Sequence, residues 1–306
     1  MCHGWILVTY EFFTTRYQVR SQLLRIIYNM SNTRRNGSNL WYEVSGDKGS
    51  AITMIGGFAL VDDQFEFCNQ YLVPHHKLLH WHYRGVGKSD WSMTEPYSVE
   101  GWVDDLASIM DDAGIDKTSI WCTSTGTSIG VRFASKYPER VNALITYPWI
   151  RADQTWKNIF TASYHVGSVF GVDQLSRMFA GVVLPPDLLY SADGIKYEQW
   201  AKIRYVANLN PTTLENVIAA YSNLDLTSDI KNISCPTMLL MGNDSALNSD
   251  SNLESASYEG LLADFLHLKD DVEIFTIEGA GSTYCMITRP EECSMAVVNY
   301  LKSLKK

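Results

Sequence analysis

Residues 119–138 constrain the chain more than any other stretch. Ser119-Ile120-Trp121-Cys122-Thr123 is a short apolar run of the kind a buried parallel strand carries. A helical pattern then runs from about Thr125 to Tyr137 and stops at Pro138. Between the two, Cys122-Thr123-Ser124-Thr125-Gly126 has the form small-x-Ser-x-Gly. A serine on such a corner has its hydroxyl pushed clear of the sheet. Small neighbours two residues to either side let strand and helix approach. The helix start supplies backbone N–H groups and positive dipole where an oxyanion would form. The alternative reading of Ser124 is a helix-capping serine in some other α/β fold.

The segments around this corner alternate in the same way. Leu40–Val44, Ala51–Ile55, Lys77–Tyr83, Val141–Tyr147, Pro236–Gly242 and Val272–Ile277 read as strands, and Ser98–Ala113 and Pro290–Leu304 as helices. Alternation of this kind predicts a mainly parallel sheet covered by helices on both faces. It fails once, between about Arg151 and Ile230, where an aromatic-rich stretch reads as helical. The expected organisation is an N-terminal extension over 1–29, a core in two halves over 30–150 and 231–306, and a helical cap over 151–230. The expected start of the core is Met30-Ser31-Asn32, just ahead of the first strand.

Four segments, in order, resemble the α/β-hydrolase superfamily. They are the Ser124 corner with its helix ending Tyr137-Pro138-Glu139-Arg140, and Arg84-Gly85-Val86-Gly87-Lys88-Ser89-Asp90, similar to the family's R-G-x-G-x-S-D loop. The others are Cys235-Pro236-Thr237 to Gly242-Asn243-Asp244, and Gly279-Ala280-Gly281-Ser282 followed by Arg289-Pro290-Glu291-Glu292. The resemblance implies an eight-stranded, mostly parallel sheet with a helical cap. It also implies Ser124 as nucleophile and an oxyanion hole from the backbone of Gly57 or Phe58 with that of Thr125. The triad acid it implies is Asp244, one residue earlier than the family's place at Ser245, with Asp153 as the alternative. Either aspartate also reads as an ordinary loop residue making an Asx-turn.

The triad histidine is missing from its place. The family carries it in a turn after the last strand, where this chain has Ser282, and no histidine follows His267. A serine hydroxyl cannot serve as general base near neutral pH, and losing one triad member costs about 10⁴–10⁶ in rate. Trp149, just before the cap, and Trp156, Tyr164, His165 and Phe170 within it are expected to line an apolar pocket, with His165 the one cap imidazole that could reach Ser124. His82 stands where the family often has Asp and is expected to bond the neighbouring loop backbone. Gly242-Asn243-Asp244-Ser245 and the absent histidine also give a distant look of the N-myc downstream-regulated family, whose members keep this fold without a working triad.

Two functions follow. One is a serine hydrolase-like enzyme on a small apolar ester, lactone or acyl-type substrate. The other is a pseudo-hydrolase that binds, senses or scaffolds. A net charge of −9 and no dense Lys/Arg cluster argue against nucleic acid and anionic membrane as partners. Six scattered cysteines without a C-x-x-C pair suit a reducing, cytoplasmic setting and no metal site. No cofactor is expected. Arg16, Arg20 and Arg25 in an acid-poor stretch are the one feature similar to an organelle presequence. Nothing in the sequence specifies an oligomeric state.

Overall fold

Parallel strands of continuous apolar residues must be covered on both faces, and the chain meets that demand with one twisted sheet between helices. The computed structural model describes residues 29–91, 96–244 and 257–305. Its strands are β1 (Asn29–Arg35), β2 (Ser38–Ser45), β3 (Ala51–Ile55), β4 (Lys77–Trp81), β5 (Thr118–Cys122), β6 (Val141–Thr146), β7 (Thr237–Gly242) and β8 (Val272–Ile277). They form one sheet of eight in the order β1-β2-β4-β3-β5-β6-β7-β8. β1 and β2 run antiparallel to their neighbours, and β4 through β8 are parallel. β3 and β5 are buried along their whole length, as their unbroken apolar runs require.

The N-terminal boundary differs from expectation. Asn29 already pairs with Val44, so the sheet begins one residue before the expected core, and residues 1–28 of the expected extension lie outside the described residues. β1 itself was not legible as a strand, because Asn32-Thr33-Arg34-Arg35 carries no apolar alternation. What makes it a strand is the hairpin. Asn36 and Gly37 both have positive φ, +50° and +82°, and close Arg35 onto Ser38 in the tight turn that Asn-Gly favours.

The helices that matter for the site are α1 (Val99–Asp112), α2 (Gly126–Lys136), α3 (Gln154–His165), α4 (Val172–Val183), α5 (Ala192–Asn208), α6 (Tyr258–Leu268) and α7 (Pro290–Ser303). The Ser98 hydroxyl accepts the Gly101 N–H at the start of α1, and Gly114 follows its end with φ +64°, the usual devices for starting and stopping a helix. α3, α4 and α5 belong to the stretch between β6 and β7, which is all helix and loop. No described helix is long and apolar enough to cross a membrane.

The Arg84 loop is held by a buried ion pair. The Arg84 Nε donates to Asp105 Oδ2 at 2.7 Å, and Arg35 Nη1 donates to Asp105 Oδ1 at 2.7 Å. Asp105 lies on α1 and is fully buried. Burial pushes its carboxyl up in spite of the two guanidiniums. His82 does bond the loop backbone, its Nδ1 accepting the Lys88 N–H at 2.9 Å. Its Nε2 stands 2.5 Å from Asp62 Oδ1. Burial opposes the charge on Asp62, but His82 and His80 hold its carboxyl well below the usual range.

Candidate active site

Ser124 sits between β5 and α2 with φ +54°. That left-handed conformation costs a non-glycine residue about 1–2 kcal/mol. The fold forces it by close approach on every side. A Cβ on Gly126 would stand 2.3 Å from the Ile55 carbonyl, and one on Gly57 would stand 2.9 Å from the Ser124 Oγ. A Cβ on Gly130 would stand 2.4 Å from the Cys122 sulfur. Gly130, one turn into α2, thus makes room for the cysteine that replaces the usual glycine of the corner. Cys122 is buried, and burial pushes its thiol up to about 12, so it is no nucleophile at neutral pH. Replacing Ser124 by Gly is expected to raise the unfolding free energy by about 0.5–1 kcal/mol, read as a higher urea midpoint. An unchanged midpoint would show that no strain is stored there.

Ser124 opens onto a cavity of about 40 Å³. Gly57, Phe58, Leu60, Gln64, Tyr147, Trp156, and Phe179 of α4 are among its walls. Tyr205 of α5 and Ser282, Thr283 and Tyr284 of the turn after β8 complete the polar part. Ser124 and Ser282 therefore share one cavity. The Ser282 hydroxyl lies beside the Tyr147 phenol. Burial raises the pKa of Tyr147, partly offset by that hydroxyl, so the phenol stays neutral.

Gln64 is a residue of the cavity wall that sequence reading missed. It is buried in a 3-10 helix, Val61–Cys68, that follows β3. Its Oε1 accepts the Gly57 N–H at 2.8 Å, and its Nε2 donates to the Thr283 carbonyl at 2.6 Å. One side chain thus ties the loop after β3 to the turn after β8. No sequence signal marks it, because its two partners lie 7 and 219 residues away.

Several expected site residues are not brought together. The Gly57 amide is taken by Gln64, and the Phe58 amide donates to Thr125 Oγ1 at 2.9 Å. Both loop donors expected in an oxyanion hole are therefore engaged within the protein, and the Thr125 N–H remains. Asp153 caps α3, its Oδ1 accepting the Trp156 N–H at 3.0 Å, and it does not line the cavity. Asp244 is half-buried beyond the end of β7, its N–H bonded to the Ala280 carbonyl, and it is not part of the cavity wall either. Ser245, the family's place for the acid, lies outside the described residues.

Of the expected pocket residues, Trp156 alone reaches the cavity. α3 buries Phe160 and Ser163 with Trp156 half-buried on the same side. His165 comes nine residues after Trp156, half a turn round the helix axis, and is exposed. It cannot serve as a base for Ser124 from there. Tyr164 packs against His165, Phe170 is 71% exposed, and Trp149 stands behind Trp156 at 5.5 Å between ring centres. None of the described histidines lines the cavity.

The sheet order, the strained serine corner between β5 and α2, and the helical stretch between β6 and β7 agree with the comparisons. The model of the alpha/beta hydrolase fold family matches residues 51–161. A thermophilic esterase from Thermogutta terrifontis superposes with a TM-score of 0.77 at 18% identity, over 91% of this chain and all of its own. The chain has the α/β-hydrolase fold. A second structure, the enol-lactonase from Burkholderia xenovorans LB400, gives a TM-score of 0.73 at 17% identity over 89% of this chain and 100% of its own. Among curated proteins, one from Caulobacter sp. (strain K31), named "Putative carbamate hydrolase RutD", is 24% identical over 76% of this chain and 83% of its own length. These matches point to the hydrolases, and the look of the N-myc downstream-regulated family is not borne out.

Proposed function

We propose that the chain is a serine hydrolase-like enzyme acting on a small apolar ester, lactone or carbamate, with Ser124 as nucleophile and slow turnover. The observation that carries this reading is the positive φ of Ser124 at the β5–α2 corner, a strained geometry that serves to present a hydroxyl to the cavity. In this reading residues 151–230 act as a cap over the core halves 30–150 and 231–306. The described cysteines are free, which supports a reducing, cytoplasmic location. The names of the similar proteins, a carbamate hydrolase, an esterase and an enol-lactonase, support carbonyl substrates of this class. Turnover is slow because Ser282 replaces the base, so the rate rests on substrate positioning and the Thr125 amide.

A second reading, a pseudo-hydrolase that binds such a ligand without turning it over, is favoured by the engaged amides of Gly57 and Phe58. A fluorophosphonate probe and a series of short-chain p-nitrophenyl esters separate the two. Weak labelling and slow hydrolysis, both abolished by Ser124→Ala, are expected. Hydrolysis unchanged in Ser124→Ala, or no labelling under prolonged exposure, would remove the enzyme reading and leave the binding one.

A further inference from the structure

The cavity at Ser124 carries no charge on its walls. Its lining includes no Arg, Lys, His, Asp or Glu. A charged ligand there would lose its hydration without gaining a counter-ion, which is the most costly form of burial.

Its polar groups are nearly all hydroxyls. Tyr205 comes from α5 of the helical insertion and Tyr284 from the core turn after β8. Each is only 4% exposed. Both line the cavity, and the Tyr284 hydroxyl makes no hydrogen bond with any described residue. Burial pushes Tyr284 up to about 12 and Tyr205 higher still, so both keep their protons. The Tyr284 proton therefore has no acceptor among the described residues, and Tyr147, Tyr205 and Ser282 bring further hydroxyls to the same walls. The amide of Gln64 adds nothing to the balance, because both its ends are engaged. The cavity thus holds at least one hydroxyl proton that no described residue accepts.

We propose that Tyr205 and Tyr284 form a clamp between the insertion and the core that binds an uncharged ligand through a hydrogen-bond-accepting oxygen, and that the site rejects carboxylates and amines. The inference rests on the proposed function for the location of the ligand and narrows its substrate class to neutral carbonyl compounds. With about 40 Å³ free, room for about one water-sized group or little more, the ligand is small or enters as the insertion swings out. A clamp that spans insertion and core closes on the ligand that satisfies it.

Equilibrium binding to the Ser124→Ala protein, followed by tryptophan fluorescence because Trp156 lines the cavity, tests this without any turnover. The probes are γ-butyrolactone and ethyl carbamate as neutral acceptors, butyrate as the anion and butylamine as the cation. The neutral probes are expected to bind, and the charged ones at least about 30-fold more weakly. Adding Tyr284→Phe should weaken the neutral probes about 5- to 30-fold. It should also raise the Tm of the unliganded protein by about 1–3 °C, since it deletes a buried unpaired hydroxyl. Neutral probes that do not bind, butyrate that binds as well as the lactone, or Tyr284→Phe without effect on affinity would each overturn the clamp. An unchanged or lower Tm would also overturn it, by showing the hydroxyl already satisfied in the free protein. Labelling of Ser124 is read separately on the protein with its serine intact, so loss of the clamp and loss of the hydrolase reading give different results.

Discussion

Replacing Ser282 by His, together with Tyr147→Ala to make room for the imidazole, is expected to speed fluorophosphonate labelling of Ser124 by about 10²-fold or more. The estimate is a fraction of the roughly 10⁴–10⁶ that a triad member is worth. The turn after β8 already brings residue 282 to the wall of the Ser124 cavity, which Tyr147 also lines. An imidazole in that place would accept the serine proton as the hydroxyl pair cannot. Labelling should then rise with pH through the imidazole pKa, near about 6.5, because only the neutral ring accepts a proton. Adding Ser124→Ala must abolish it. A folded double variant that labels no faster than the parent would show that the corner lacks more than a base. The acid is then the first suspect, since neither Asp244 nor Asp153 reaches the cavity.

Asp105→Ala should be the most damaging single change to stability away from the site, at about 3–5 kcal/mol and a fall in Tm on the order of 10 °C. The carboxylate is fully buried and faces Arg84 and Arg35 at 2.7 Å each. The ion pair itself need not be a net gain, since burial raises the Asp105 pKa despite both partners. Deleting one side nonetheless takes a fully buried counter-charge from the buried Arg84 guanidinium. The neighbouring residue is the control. Asp104 pairs with Arg35 and Lys136 from a side chain 31% exposed, and Asp104→Ala should cost about 1 kcal/mol or less. Urea unfolding of the two variants side by side checks the contrast. Equal losses would mean that burial does not govern these pairs.

The fold was largely legible because its signals are local. Continuous apolar runs of five or six residues marked the parallel strands, and small-x-Ser-x-Gly marked the corner. Expected and observed boundaries differ by a residue or two. Lys77–Tyr83, for example, ends at Trp81 as the chain turns into the Arg84 loop. β1 escaped because a strand at the sheet edge needs no apolar alternation, although Asn36-Gly37 carried the hairpin signal.

The chain by itself determined the serine corner, the alternating architecture around it, and the absence of a histidine after His267. These depend on backbone preferences and residue order, which neighbours along the chain decide. Only the tertiary structure decided which side chains share the cavity. Packing rotated α3 so that Trp156 faces inward and His165 faces out, and it turned Asp153 into a helix cap. It also placed Gln64 across two loops and left the Tyr284 hydroxyl without a hydrogen bond to any described residue. Such outcomes depend on how elements from distant parts of the chain settle against one another, and the pattern within any single segment does not record it.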